Sequence, residues 1–241
     1  MTRFWNWTSD SMAPANDEGQ SARTLHLEGV IAPETWFDDE ITPALFKEEL
    51  NAGTGPITVW INSPGGDCVA AAQIYNLLTE YPHPVTVQID GIAASAASVI
   101  AMAGDTVLMS PVSTMMIHNP ATIAMGDHTD MEKAIQMLGA VKDSIINAYQ
   151  LKTGLSRKEI SKMMDAETWF DATKAVEMGF ADGVIQSSAT TTTEMGSTND
   201  RAGILFSRRT AEQVLVNKLC AVPVQPLYDR LEHLLKNNSP A

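Results

Sequence analysis

From Thr24 onward, short apolar and β-branched runs alternate with helical patterns, and turn residues mark each junction. Thr24–Ile31 reads as a strand, and Ile41–Leu50 as an amphipathic helix opened by Thr42-Pro43, with proline in the first helical turn where its missing N–H costs nothing. Pro56–Ile61 is a strand that runs into the turn-forming stretch Asn62-Ser63-Pro64-Gly65-Gly66, and Val69–Thr79 follows as a helix. The pattern then repeats. Val85–Ile89 is a strand, and the small residues Ala93–Ser98 suit a buried helix packed closely on a sheet. Thr106–Met109 and Thr114–Ile117 are short strands, after which Asp130–Lys152 forms the longest helix. Its stripe Ile135, Leu138, Val141, Ile145, Ala148 and Tyr149 predicts a buried face. A capping box, Ser156 with Glu159, opens a helix over Ser156–Met164, and Ala172–Met178 is a last helix stopped by Gly179. Such alternation specifies an α/β fold, closing near Val184–Ile185.

Composition narrows what this fold can serve. The 241 residues include 16 Lys and Arg against 29 Asp and Glu, a net charge of −13 that disfavours nonspecific binding to nucleic acid or to an anionic membrane. With 44% hydrophobic residues the chain has the makings of a real core. Cys68 and Cys220 form no CxxC pattern, which argues against a disulfide scaffold or a cysteine zinc site and points to reduced thiols in the cytoplasm. The polar start lacks the basic-then-apolar run of a signal peptide. The apolar stretch Val85–Met109 is broken by Asp90, Gly91, Gly104 and Asp105, too often to span a bilayer. Three regions are expected: a flexible arm over residues 1–23, a single folded domain over 24–186, and an extension over 187–241. That extension is a polar linker, Ser187–Asp200, followed by short helices at Ala211–Leu219 and Leu227–Leu235.

Chemistry has a few candidate places. Gly65-Gly66 after a strand suits a tight turn, a phosphate cradle or an oxyanion hole, because glycine lets backbone N–H groups approach a ligand. Neither GxxxxGK[ST] nor GxGxxG occurs, so the phosphate reading ranks low. Ser95 opens a strand-to-helix transition, where its hydroxyl could attack a carbonyl or simply pack, and Ser98 competes with it. His118 projects from a strand end into a loop, a fitting place for a general base, with His26, His83, His128 and His233 as rivals. Asp165, Glu167 and Asp171 could each orient an imidazole or merely cap a helix. No H-E-x-x-H spacing suggests a zinc enzyme.

Four blocks taken together resemble the Clp-type serine peptidases, the ClpP family. They are Ile61-Asn62-Ser63-Pro64-Gly65-Gly66, Gly91-Ile92-Ala93-Ala94-Ser95, Met116-Ile117-His118-Asn119-Pro120 and Ala175-Val176-Glu177-Met178-Gly179-Phe180-Ala181-Asp182, in the family's order and near its spacing. Ile100–Asp105 and Asp165–Trp169 are similar to the phage and prophage branch. The resemblance implies the ClpP/crotonase-like spiral of repeated β-β-α units and a serine endopeptidase without metal or organic cofactor. Carried over by position, it makes Ser95 the nucleophile, His118 the base, and the N–H groups of Gly66 and Ala96 the oxyanion hole. Ser98 then becomes a packing residue. The acidic member is Glu167 where the better-known enzymes have aspartate, with Asp165 as the fallback. The family further implies a polypeptide substrate and a homo-oligomer of stacked rings joined through Asp130–Lys152. An ATP-dependent unfoldase and phage structural proteins are its candidate partners. Two other readings stand beside this one: a crotonase-type acyl-CoA hydratase or isomerase, and a catalytically inactive ring-forming partner.

Overall fold

The computed structural model describes residues 4–9, 23–31 and 43–185, all within the first of two compact units, Met1–Ser188. The linker and helices expected beyond residue 187, with His233 and Cys220, lie outside the described residues.

The element order is β1 (Trp5–Ser9), β2 (Arg23–Ile31), α1 (Pro43–Asn51), β3 (Ile57–Gly66), α2 (Cys68–Thr79), β4 (Val85–Ala94) and α3 (Ala96–Ala101). Next come β5 (Thr106–Met109), β6 (Thr114–Ile117), α4 (His128–Thr153), α5 (Arg157–Asp165), β7 (Thr168–Asp171), α6 (Ala172–Glu177) and β8 (Gly183–Val184). The strands form one sheet in the order β1-β2-β3-β4-β5-β8, with β6 joined to β4 and β7 to β6. Pairing from β2 through β5 and on to β8 is parallel, while β1 on β2 and β7 on β6 are antiparallel. Strand β4 divides the sheet: its first half, Thr86–Ile89, pairs with β5 and its last residues, Ile92–Ala94, pair with β6.

The alternation of the sequence is the alternation of the sheet. Leu25 and Leu27, Val59 and Ile61, Val87 and Ile89, and Val107 and Met109 turn to one face and are at most 1% exposed. Against that face lie Phe46 and Leu50 of α1, Ile74 and Leu78 of α2, Ile100 of α3 and Tyr149 of α4, all in one cluster. Full burial of a Leu or Ile side chain is worth about 1.5–3 kcal/mol, so this face dominates the stability of the sheet and of the strand ends it carries.

The structure differs from expectation at five places. Trp5–Ser9, assigned to a flexible arm, is strand β1: its Trp-x-Trp alternation buries Trp5 against Phe46 while the Trp5 Nε1–H donates to Glu49 at 2.8 Å. The turn expected at Asn62–Gly66 continues β3, since Val30 and Ile31 of β2 still pair with Gly65 and Gly66. The small-residue run is split at Ser95, with Ala93 and Ala94 completing β4 and α3 starting at Ala96. The α4 stripe is buried only toward its C-terminal end: Tyr149 is 1% exposed and Ile135 is 69% exposed. Strand β7, four residues long, was hidden in a segment whose acids looked like helix caps.

Candidate active site

Because β4 and β6 run parallel with Ala94 opposite Met116, the residues that leave their C-terminal ends emerge side by side. Ser95 leaves β4 and His118 leaves β6. His118 Nε2 and Ser95 Oγ lie 2.7 Å apart, a hydrogen bond in the range that proton transfer requires. Both residues are half-buried, so the pair is supported by the sheet yet reachable.

The backbone at Ser95 is unusual. Its φ of 55° and ψ of −124° belong to a sparsely populated region, and its hydroxyl makes no capping bond to α3. The Ser95 N–H donates to the carbonyl of Met116 at 2.9 Å, which locks the elbow to β6. Among the described residues only Ser95 and Glu167, at φ 49°, are non-glycine residues with positive φ. Conformations of this kind cost about 1–3 kcal/mol each and persist where the surroundings enforce them.

Gly65 and Gly66 run beside this elbow. A Cβ on Gly65 would lie 2.6 Å from the carbonyl oxygen of Ala94, 2.8 Å from Ser95 Cβ and 2.9 Å from the nitrogen of Ala96. Only glycine can bring β3 this close, and its φ of 94° also favours glycine. At Gly66 a Cβ would meet the carbonyl oxygen of Ile31 at 1.9 Å. The stretch is held from below by Ser63, 1% exposed, whose hydroxyl donates to the Gly29 carbonyl at 2.6 Å and accepts from the Gly65 N–H at 3.1 Å. Sequence reasoning assigned no role to Ser63 or to Gly65 by itself. The signal available was a small hydroxyl just before Pro64-Gly65-Gly66, at a strand end that must turn its backbone inward.

The three candidate acids separate. Asp165 is exposed at the end of α5 and accepts from Lys142 Nζ at 2.6 Å and from Asn119 Nδ2 at 2.9 Å. The Lys142 hydrogen bond, followed by that from Asn119, holds its carboxyl below the usual carboxylate range. Asp171 caps α6 by accepting from the Lys174 N–H at 2.7 Å. Glu167 is half-buried between α5 and β7, where Trp169 Nε1–H reaches its carboxylate at 3.4 Å. The β6–β7 ladder ends with Ile117 opposite Thr168, so His118 and Glu167 are each the next residue beyond its last pair.

The rivals are occupied elsewhere. His26 Nε2 is 3.2 Å from Thr8 Oγ1, His83 stacks edge-on against Tyr81, and His128 sits 3.7 Å from Glu132 on the surface of α4. Ser98 is fully buried; its hydroxyl donates to the Ser95 carbonyl at 2.6 Å and lies 2.8 Å from the Tyr149 hydroxyl.

Comparison with known proteins agrees with this architecture. The family model described as Clp protease matches residues 21–188. ATP-dependent Clp protease proteolytic subunit 1 of Chlamydia muridarum is 34% identical over 151 residues, spanning 61% of this chain and 78% of the relative. ATP-dependent Clp protease proteolytic subunit 2 of Thermobifida fusca is 30% identical over 172 residues, spanning 69% and 85%. A solved structure of a ClpP1 mutant from Listeria monocytogenes superimposes with a TM-score of 0.59 over 68% of this chain and 92% of that one, at 24% identity. The α/β fold is therefore the ClpP fold.

Proposed function

The chain belongs to the Clp protease family, and on that premise we propose that it hydrolyses peptide bonds through Ser95, His118 and Glu167. The carrying observation is the 2.7 Å contact between His118 Nε2 and Ser95 Oγ on a strained strand-to-helix elbow. In the reaction, Ser95 Oγ attacks the scissile carbonyl as His118 Nε2 takes its proton. The carbonyl oxygen becomes an oxyanion that accepts from the N–H groups of Gly66 and Ala96, whose approach Gly65 permits. His118 then passes its proton to the leaving amine, the C–N bond breaks, and an ester remains on Ser95. Water, deprotonated by the same imidazole, attacks the ester; the imidazolium then returns that proton to Ser95 Oγ as the C–O bond breaks and the acid product leaves.

Glu167 is the better-supported orienting acid. It lies just beyond the last β6–β7 pair, as His118 does, and is half-buried, whereas the Asp165 carboxylate is bonded to Lys142 and Asn119. The crotonase reading relies on carboxylates at the reacting centre, while here a serine and a histidine meet.

The exposed apolar residues Ile135 and Met137 of α4 support self-association through that helix into rings that enclose the sites. The relatives' names carry the word ATP-dependent, and an ATP-driven unfoldase delivering polypeptide is the corresponding partner here. Phage structural proteins are the substrates suggested by the phage-like segments, in the cytoplasm of the host cell. Among the described residues no helix is long and apolar enough to cross a membrane.

A fluorophosphonate probe tests the central claim. Labelling of the purified full chain is expected at Ser95, lost in Ser95→Ala and strongly reduced in His118→Ala, in parallel with turnover of unfolded casein. An assembled wild-type sample that neither labels nor cleaves would overturn it, and would favour the inactive ring-forming partner.

A further inference from the structure

Behind the nucleophile a buried chain of hydroxyls reaches from α4 to the backbone of the elbow. Ser98 has a single hydroxyl proton, donated to the Ser95 carbonyl oxygen at 2.6 Å, so across the 2.8 Å contact with Tyr149 the phenol is the donor. The Ser98 N–H adds a second bond to the same carbonyl at 3.0 Å. Tyr149 is 1% exposed and its ring packs edge-on against Phe180 at 5.6 Å, so the hydroxyl has one fixed direction. Burial raises its pKa, which keeps the phenol protonated and donating.

The target of these bonds matters more than their number. The Ser95 carbonyl and the Ala96 N–H belong to one planar trans peptide unit, and in such a unit the C=O and N–H point in opposite directions. Holding the oxygen down therefore aims the Ala96 N–H the other way, out of the N-terminal end of α3, where its nitrogen lies beside Gly65. This plane follows a residue in a strained conformation, whose relaxation would rotate it.

We propose that Tyr149 and Ser98 are positioning residues that pin the Ser95–Ala96 peptide plane and so preset the Ala96 N–H as an oxyanion donor. The inference rests on the reading of Ser95 as nucleophile. Neither residue touches substrate. Their contribution is to donor direction, which counts only once negative charge has formed on the carbonyl oxygen, so it belongs to kcat and not to KM.

The experiment uses the full-length chain, assayed on a fluorogenic peptide well below its unfolding temperature. Tyr149→Phe keeps the ring and its packing on Phe180 but removes the terminal donor; Ser98→Ala removes the bond to the carbonyl. Both should lower kcat about tenfold with KM unchanged, short of the ~10²–10³ lost when an oxyanion donor is deleted outright. The double variant should be no slower than Ser98→Ala, since the two act through one bond. A peptide boronate, which places a negative oxygen in the site, should lose affinity by a similar factor. Tyr81→Phe is the control: it deletes another buried phenolic bond, 2.9 Å to the Gly55 carbonyl and remote from Ser95, and should lower stability but leave kcat alone. Wild-type kcat in Tyr149→Phe and Ser98→Ala, or an equal loss in Tyr81→Phe, would overturn the proposal. Should Tyr149→Phe fail to fold, Ser98→Ala decides alone. Failure of the underlying reading looks different, because the wild-type chain itself would then take no fluorophosphonate label at Ser95.

Discussion

At the scale of single residues, the two acids near His118 make opposite predictions. Glu167→Gln removes the charge that would steady an imidazolium and should lower kcat by about 10²–10⁴, the range over which orienting carboxylates act in serine hydrolases. Asp165→Asn should lower it less than tenfold, because that carboxylate serves Lys142 and Asn119. Steady-state kinetics on one peptide separates the two. Asp165 also carries a pH signature. Its folded pKa lies below the ordinary carboxylate value of 3.8, so the stability it adds is fully present above that value and is lost as pH falls through the lowered one. Asp165→Asn should therefore be less stable than the parent near neutrality and approach it only at pH well below 3.8, as read by denaturant midpoints. The pairing of Ser95 with His118 is legible in the sequence only through the family's blocks, since strand ends alone leave Ser98 and the other histidines as rivals; the parallel pairing of β4 with β6 that joins them is a tertiary contact. The left-handed backbone of Glu167 is not, because nothing in Ala-Glu-Thr sets φ; the antiparallel ladder that follows does.

At the scale of elements, the closeness of β3 to the β4–α3 elbow is the decisive dimension. Gly65→Ala would place a methyl 2.6 Å from the Ala94 carbonyl oxygen and 2.9 Å from the Ala96 nitrogen, so the elbow has to move. Activity should fall about 10²-fold, as for loss of an oxyanion donor, while circular dichroism and the hydrodynamic radius stay those of a folded protein. Alternating hydrophobicity is enough to find the central strands, where burial enforces a period of two. Strand β7 escapes because Thr-Trp-Phe-Asp is too short to show a period, and its pairing with β6 is a contact across some fifty residues of chain. Strand β1 escapes for another reason: polar composition around Trp5 and Trp7 masks two aromatic anchors, one of which ends in the core.

At the scale of the whole molecule, α4 is a helix with two characters. Its C-terminal end buries Ile146, Ala148 and Tyr149, while its N-terminal half exposes Ile135 and Met137. A stripe of constant spacing cannot reveal where the core stops along a helix of 26 residues, because its neighbours α3 and α5 are much shorter, at 6 and 9 residues. Ile135→Asp should leave the subunit folded yet shift it to smaller species, seen as a drop in mass by sedimentation, with peptidase activity falling alongside. One consequence concerns synthesis. His118 leaves a strand that is flanked on one side by β4 and on the other by β7, and β7 comes fifty residues later in the chain. Until residues 168–171 have been made, β6 therefore has a neighbour on one side only, and the strand that carries His118 is half-supported.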